Sequence, residues 1–388
     1  MKLFRLAFKV CLSIGFGLLL METLMTVADP LTAQGLYQYD REIGFRVRAH
    51  MNGTNEFGFN APDFPHEKPV GVFRVLVLSD SFNWMGGQEW NYTVLLQRRL
   101  DSLYGERRVE VINAGYPMTH TAEQLPLLRR FGLQYHPDVV VLGFFAGNDF
   151  FAGSSHRKRI VVNDTLIDID PADEIVVFGY PILPRSRFLA FVRQKWRVAK
   201  EASPQLRDLV ERIRHIFPWY ADATEAAVTP PTPAGTFSRE TYLDLEDRRL
   251  QVFDGRTLRH GGEWVGNVDY ILDAVNRMAA LCRERGVRLL VAIYPDEFQI
   301  DDALFEELVA RKGERADRYD LDMPRKILGP VLDAHGVPWT DFRERFRGAA
   351  KTGPLYTPND SHWNEAGNGL AAEILFEFLK TYLPAPGG

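Results

Sequence analysis

Cysteine is scarce in this chain: Cys11, in an apolar N-terminal run, and Cys282, in a helical pattern, are the only two. A disulfide between them is implausible, so packing must hold the fold together. Metal-ligand spacings of the Cys-x-x-Cys or His-Glu-x-x-His kind are missing and the nine histidines are scattered, so no cofactor or metal is implied. There is no excess of positive charge. A formal net charge of −5 lacks the basic footprint that phosphate backbones require, which argues against nucleic acid as a partner. Repeats and low-complexity tracts are also missing. Hydrophobic residues at 46% beside charged residues at 25% give the balance of a globular protein.

What is present begins with a basic flank, Lys2, Arg5 and Lys9, before the uncharged run from Val10 to Met21, which ends at Glu22. That run is shorter than the roughly 20 residues of a comfortable span, but Leu24, Met25, Val27 and Ala28 extend it. Thr26-Val27-Ala28 is the one small-x-small candidate for signal cleavage, and a marginal one. Residues 1–28 therefore read as a signal anchor in preference to a removed signal peptide. The expectation is a single-pass protein of the inner membrane with the remainder of the chain outside the cytoplasm.

Residues 29–70 are rich in Gly, Asn, Asp and Pro with interspersed aromatics, and read as an ordered lead-in without long elements. From Phe73 the pattern alternates. Short apolar runs at Phe73–Leu78, Val109–Ile112, Val139–Phe145 and Leu289–Tyr294 predict buried strands. Helical spacing at Tyr92–Tyr104, Ala122–Phe131, Asp269–Arg285 and from Glu365 to about Tyr382 predicts helices between and after them. Strands alternating with helices mean an α/β, doubly wound parallel sheet with helices on both faces. Its ligands bind at the carboxyl ends of the strands. Between about 151 and 262 the alternation fails, giving an inserted cap over the 71–388 domain. Its basic clusters, His156 to Arg159 and Arg193 to Arg197, read as a solvated face or as a binder of an anionic glycan or lipid headgroup.

Three of the strand-end loops carry residues able to do chemistry. Ser79-Asp80-Ser81-Phe82 places Ser81 where a helix N-terminus leaves amides unpaired, offering a nucleophile and one oxyanion donor. Taken alone, a serine in such a place is more often a helix cap than a nucleophile. Asn113-Ala114-Gly115-Tyr116-Pro117 offers the Gly115 amide, and Ala146-Gly147-Asn148-Asp149 the Asn148 side chain, although either is by itself an ordinary turn residue. Far along the chain, Asn359-Asp360-Ser361-His362-Trp363-Asn364 puts a carboxylate two residues before an imidazole. In extended backbone those two side chains point the same way, so Asp360 can orient His362 toward Ser81. His120, three positions past Pro117, reads as pocket-lining or as a surface residue.

The blocks LSDSF, NAGYP, GFFAGND and NDSHWNEAG, in that order, resemble the SGNH or GDSL-type hydrolase superfamily over roughly residues 55 to 383. The resemblance implies a flavodoxin-like sheet, Ser81 as nucleophile, Gly115 and Asn148 as further oxyanion donors, and His362 as general base oriented by Asp360. The lead-in with Asn55 and Gly58, together with the anchor, resembles a membrane-tethered bacterial branch. Ser79 stands where the family has Gly, and Asn359 where it has Asp. The Asp-x-His-Trp arrangement is similar to that of periplasmic glycan O-acetyltransferases. The activity implied is that of an esterase or O-acyltransferase acting on an acylated carbohydrate or another ester, with a membrane acyl-donor protein as a partner. The competing readings are a catalytically idle glycan-binding or assembly protein on the same frame, and a lipase-like enzyme, for which no extended apolar lid is found.

Overall fold

The computed structural model describes residues 2–27, 35–40, 42–152, 158–162, 165–169, 176–177, 180–181, 186–202, 237–256, 259–260, 263–264 and 266–385. The chain forms two compact units, Met1–Arg48 with His156–Thr232, and Ala49–Ser155 with Pro233–Gly388. His156 and Arg157 of the first basic cluster, and residues 203–236 of the inserted region, lie outside the described residues.

The larger unit is built on five parallel strands: β1 (Phe73–Leu78), β2 (Val109–Asn113), β3 (Val139–Phe145), β4 (Arg288–Tyr294) and β5 (Trp339–Asp341). Their order, β5-β4-β3-β1-β2, is the flavodoxin-like one, in which the direction of winding reverses beside β1. The strands are mainly apolar because both faces are covered. Val75, Val77, Val139, Val141, Leu290 and Ala292 form one face, packed with Leu96 and Leu100 of helix Tyr92–Tyr104 and with Ala371 and Leu375 of helix Glu365–Leu379. The alternate residues Leu76, Val140, Leu142 and Val291, equally buried, point to the other face. Right-handed crossovers place helices Thr121–Arg130 and Gly266–Glu284 there, in contact with each other.

Local chemistry sets the boundaries. Asn91 caps helix Tyr92–Tyr104 by accepting from the Thr93 amide, and Gly105, at φ +88°, ends it. Arg74, the lone charge in β1, is wholly buried, yet its Nε donates to Glu110 Oε2 at 2.7 Å and its Nη1 to the Tyr135 carbonyl at 2.7 Å. β1 and β3 have the bounds their apolar runs predict. β5 is an addition, and the C-terminal helix stops at Leu379.

The smaller unit contains helix Lys2–Val27, the hairpin Tyr37–Asp40/Gly44–Val47, the hairpin Lys158–Val162/Thr165–Ile169 and helix Arg187–Ala202. Val162, Ile167 and Ala190, with Met25, Leu189 and Phe191, make its small core. Phe8–Val27 is long and apolar enough to cross a membrane, and it is the one such helix among the described residues. Cys11 and Cys282 are both free thiols.

Candidate active site

β1 ends at Leu78, and the chain turns at once into a short helical turn, Ser81–Asn83. Asp80 caps it, Oδ1 accepting the Phe82 amide at 3.0 Å, so Ser81 sits at the first position of the turn, where an amide has no intrahelical acceptor. Beneath it Asn83 locks the loop: its Nδ2 donates to the Val77 carbonyl at 3.0 Å and to Asn113 Oδ1 at 2.9 Å, while the Tyr92 hydroxyl donates to its Oδ1. Asn113 Nδ2 returns a bond to the Asn83 carbonyl at 2.8 Å. Every group in this floor is buried, so each bond removes a desolvation penalty.

His362 arrives from the other end of the sequence. Trp363, fully buried, anchors its loop among Phe82, Tyr92, Tyr294 and Phe346. The imidazole lies 5.3 Å from the Phe82 ring, centroid to centroid. His362 Nε2 is 2.7 Å from Ser81 Oγ, and Nδ1 is 2.6 Å from Asp360 Oδ1. If Nε2 is to accept the serine proton, Nδ1 must carry the ring hydrogen and donate it to Asp360. Burial alone would raise the Asp360 carboxyl. The bond and charge of His362, its backbone amide and the charge of Arg249 outweigh burial and hold the group below the ordinary carboxylate range. Asp360 is therefore an anion wherever His362 is a base.

The two remaining sequence-predicted donors fare differently. Asn148 lies by Asp80: burial raises the Asp80 carboxyl, while the Phe82 amide, the charges of His362 and Arg249 and the Asn148 side chain offset part of that rise. The Gly115 amide already donates to Asn113 Oδ1, at 3.0 Å. What Gly115 mainly supplies is room, because a Cβ there would lie 1.9 Å from that of Asn83. His120 is not a surface residue. It is buried at the start of helix Thr121–Arg130, its amide donating to Glu123 Oε2 at 3.2 Å.

A second layer has no signal in the sequence. Arg249 Nη1 is 2.8 Å from Glu246 Oε1 and 3.9 Å from Asp296 Oδ2, and its guanidinium lies 5.1 Å from the Phe145 ring centroid. Burial and mutual repulsion raise Glu246 well above the carboxylate range, and burial raises Asp296. Asp296 also explains Gly147, where a Cβ would lie 1.8 Å from its Oδ2. Ser361 reaches Glu246 Oε1 at 3.5 Å. The Asn148 loop and the His362 loop thus rest on one buried acid pair.

Residues 267–387, which include Asp360 and His362 but stop short of Ser81, match the family described as "SGNH hydrolase-like domain, acetyltransferase AlgX". No curated protein matches this chain in sequence. Solved structures similar to it include a lipase/acylhydrolase from Enterococcus faecalis, 14% identical with a TM-score of 0.40, covering 82% of this chain and 100% of that one. Another is a catalytic mutant of an acetylxylan esterase from Geobacillus stearothermophilus, 9% identical with a TM-score of 0.40, covering 80% of this chain and 96% of that one. At TM-scores this low, neither likeness bears on activity. The parallel sheet brings Ser81 and His362 together at the carboxyl end of β1, beside the reversal of strand order.

Proposed function

We propose that this chain is a serine-dependent esterase or O-acyltransferase that moves acetyl groups on or off a cell-envelope or exported glycan. The observation that carries this reading is the line Ser81 Oγ, His362 Nε2, His362 Nδ1, Asp360 Oδ1, with its two contacts of 2.7 and 2.6 Å. Ser81 Oγ attacks the ester carbonyl carbon as its proton passes to His362 Nε2. The developing oxyanion is held by the Ser81 amide and the Asn148 side chain, with the Gly115 amide a weaker third donor because it also serves Asn113. Collapse breaks the ester C–O bond, His362 returns the proton to the departing alcohol, and an acyl-serine remains. Water or a sugar hydroxyl then attacks the acyl carbon as its proton passes to His362; collapse breaks the bond to Ser81 Oγ, which takes the proton back from His362, and the acceptor distinguishes hydrolysis from transfer.

The N-terminal helix serves in this proposal as a single-pass anchor, with the basic residues before it on the cytoplasmic side and the catalytic unit outside. A membrane acyl-donor protein is the partner that transfer would require. The test is a panel of acetylated sugars and longer acyl esters assayed with wild type and Ser81→Ala, together with covalent labelling by a fluorophosphonate. Turnover and labelling that both vanish in Ser81→Ala support the assignment; folded wild type that takes no label would leave the idle-scaffold reading standing.

A further inference from the structure

Helix Lys2–Val27 leaves its apolar residues in the open, Phe16 at 68% exposure among them, and Glu22 interrupts it. An isolated carboxylate there would be costly in a membrane. It is not isolated: Glu22 Oε2 accepts the Ser186 hydroxyl at 2.6 Å and the Phe188 amide at 3.1 Å, and Oε1 accepts the Arg187 amide at 2.8 Å. Those amides are the ones that helix Arg187–Ala202 leaves unpaired at its start, so a side chain of the first helix caps the second.

That cap fixes a depth. Glu22 is five residues before Val27, which at a rise of about 1.5 Å per residue puts the start of the second helix ~7–8 Å inside the end of the span. Amphipathic helices at bilayer surfaces lie with their apolar face about 5–10 Å into the headgroup and acyl boundary. One side of helix Arg187–Ala202 is occupied, Ala190 packing with Met25, Val162 and Ile167. Val192 and Trp196, four apart and so on one face, remain 45% and 50% exposed, with Lys195 exposed beside them. The helix sequence RFLAFVRQKWRVAKEA has five basic residues against one acidic.

We propose that helix Arg187–Ala202 lies in the headgroup layer of an anionic bilayer, with Val192 and Trp196 in the acyl boundary and Arg193 and Lys195 toward lipid phosphate. Continuity with the span, the depth set by Glu22, the exposed tryptophan and the charge of the helix point to lipid as the occupant. The proposal rests on the reading of Phe8–Val27 as a membrane span.

The test uses the full chain reconstituted into vesicles of phosphatidylglycerol and brominated phosphatidylcholine. Flotation reports the span, and bromide quenching of tryptophan fluorescence reports the helix. Wild type is expected to float and to be quenched. Trp196→Phe is expected to float equally and to lose a quenched component, and Lys195→Glu to float with weaker quenching. Trp196 is half exposed, so its replacement leaves folding intact. Equal quenching per tryptophan in Trp196→Phe, at unchanged flotation, would overturn the placement of the helix while leaving the span in place. Failure of wild type to float would overturn both.

Discussion

Arg249 and the fully buried Glu246, one turn apart on a single helix, are joined at 2.8 Å. The guanidinium answers Glu246 and Asp296 together and also contributes its charge to Asp80 and Asp360. Removing one partner of such a buried set leaves charge uncompensated. Arg249→Leu is therefore expected to cost about 3–5 kcal/mol of stability, read as a lower urea midpoint, with activity falling as the His362 loop loosens.

The same cluster predicts a pH dependence. Glu246 and Asp296 both have folded pKa values above their unfolded ones, so the folded unit binds more protons than the unfolded chain once pH exceeds the ordinary carboxylate range. The stabilisation is fully present below that range and is lost as pH rises through the raised folded values. Urea midpoints of wild type are expected to fall in that direction. Glu246→Gln, which stays neutral at every pH, should flatten the trend; an unchanged slope would remove this acid pair from the explanation.

Asp360→Asn separates orientation from mere proximity. The amide preserves shape but removes the charge that holds the ring hydrogen on Nδ1, so turnover on a reactive acetyl ester should drop on the order of 10⁴-fold. Thermal stability should barely move, since Asp360 is only partly buried. Asn148→Ala should reduce turnover by about 10²–10³-fold if its side chain meets the oxyanion, and a rise in KM with unchanged kcat would instead make it a substrate-binding group.

Gly115→Ala probes the floor of the site. The added methyl would meet Asn83 Cβ at 1.9 Å and its Cγ at 2.8 Å, neither of which can withdraw without breaking the bonds to Val77 and Asn113. Overpacking of this kind costs about 1–3 kcal/mol. A lowered melting temperature accompanied by weaker fluorophosphonate labelling is expected.

How much of the fold and site is legible in the sequence differs by residue. β1 and β3 declare themselves because they are buried on both faces and read as unbroken apolar runs, whereas β5 is three half-buried residues at the sheet edge and carries no such run. The hairpin Tyr37–Asp40/Gly44–Val47 is missed for a similar reason, each strand being four residues long. Ser81, Asp360 and His362 stand out because each sits in a short polar block directly after a strand or before a helix. Glu246 and Arg249 do not: they lie in RETYLDLEDRR, which looks like a solvated helix, and only the fold reveals that Glu246 is sealed from water. Asn83 and Asn113 are hidden in another way, since an amide that braces a loop has the same spelling as one that merely ends a turn.

In the proposed mechanism, the separation of 281 positions between hydroxyl and imidazole sets an order on assembly of the site. Ser81 would emerge from synthesis long before its base, and the strand carrying it could join the sheet while chemically mute. Reactivity would switch on only when the segment around Trp363 docks into its aromatic nest, so a nascent or clipped chain lacking that segment would be harmless to the esters around it.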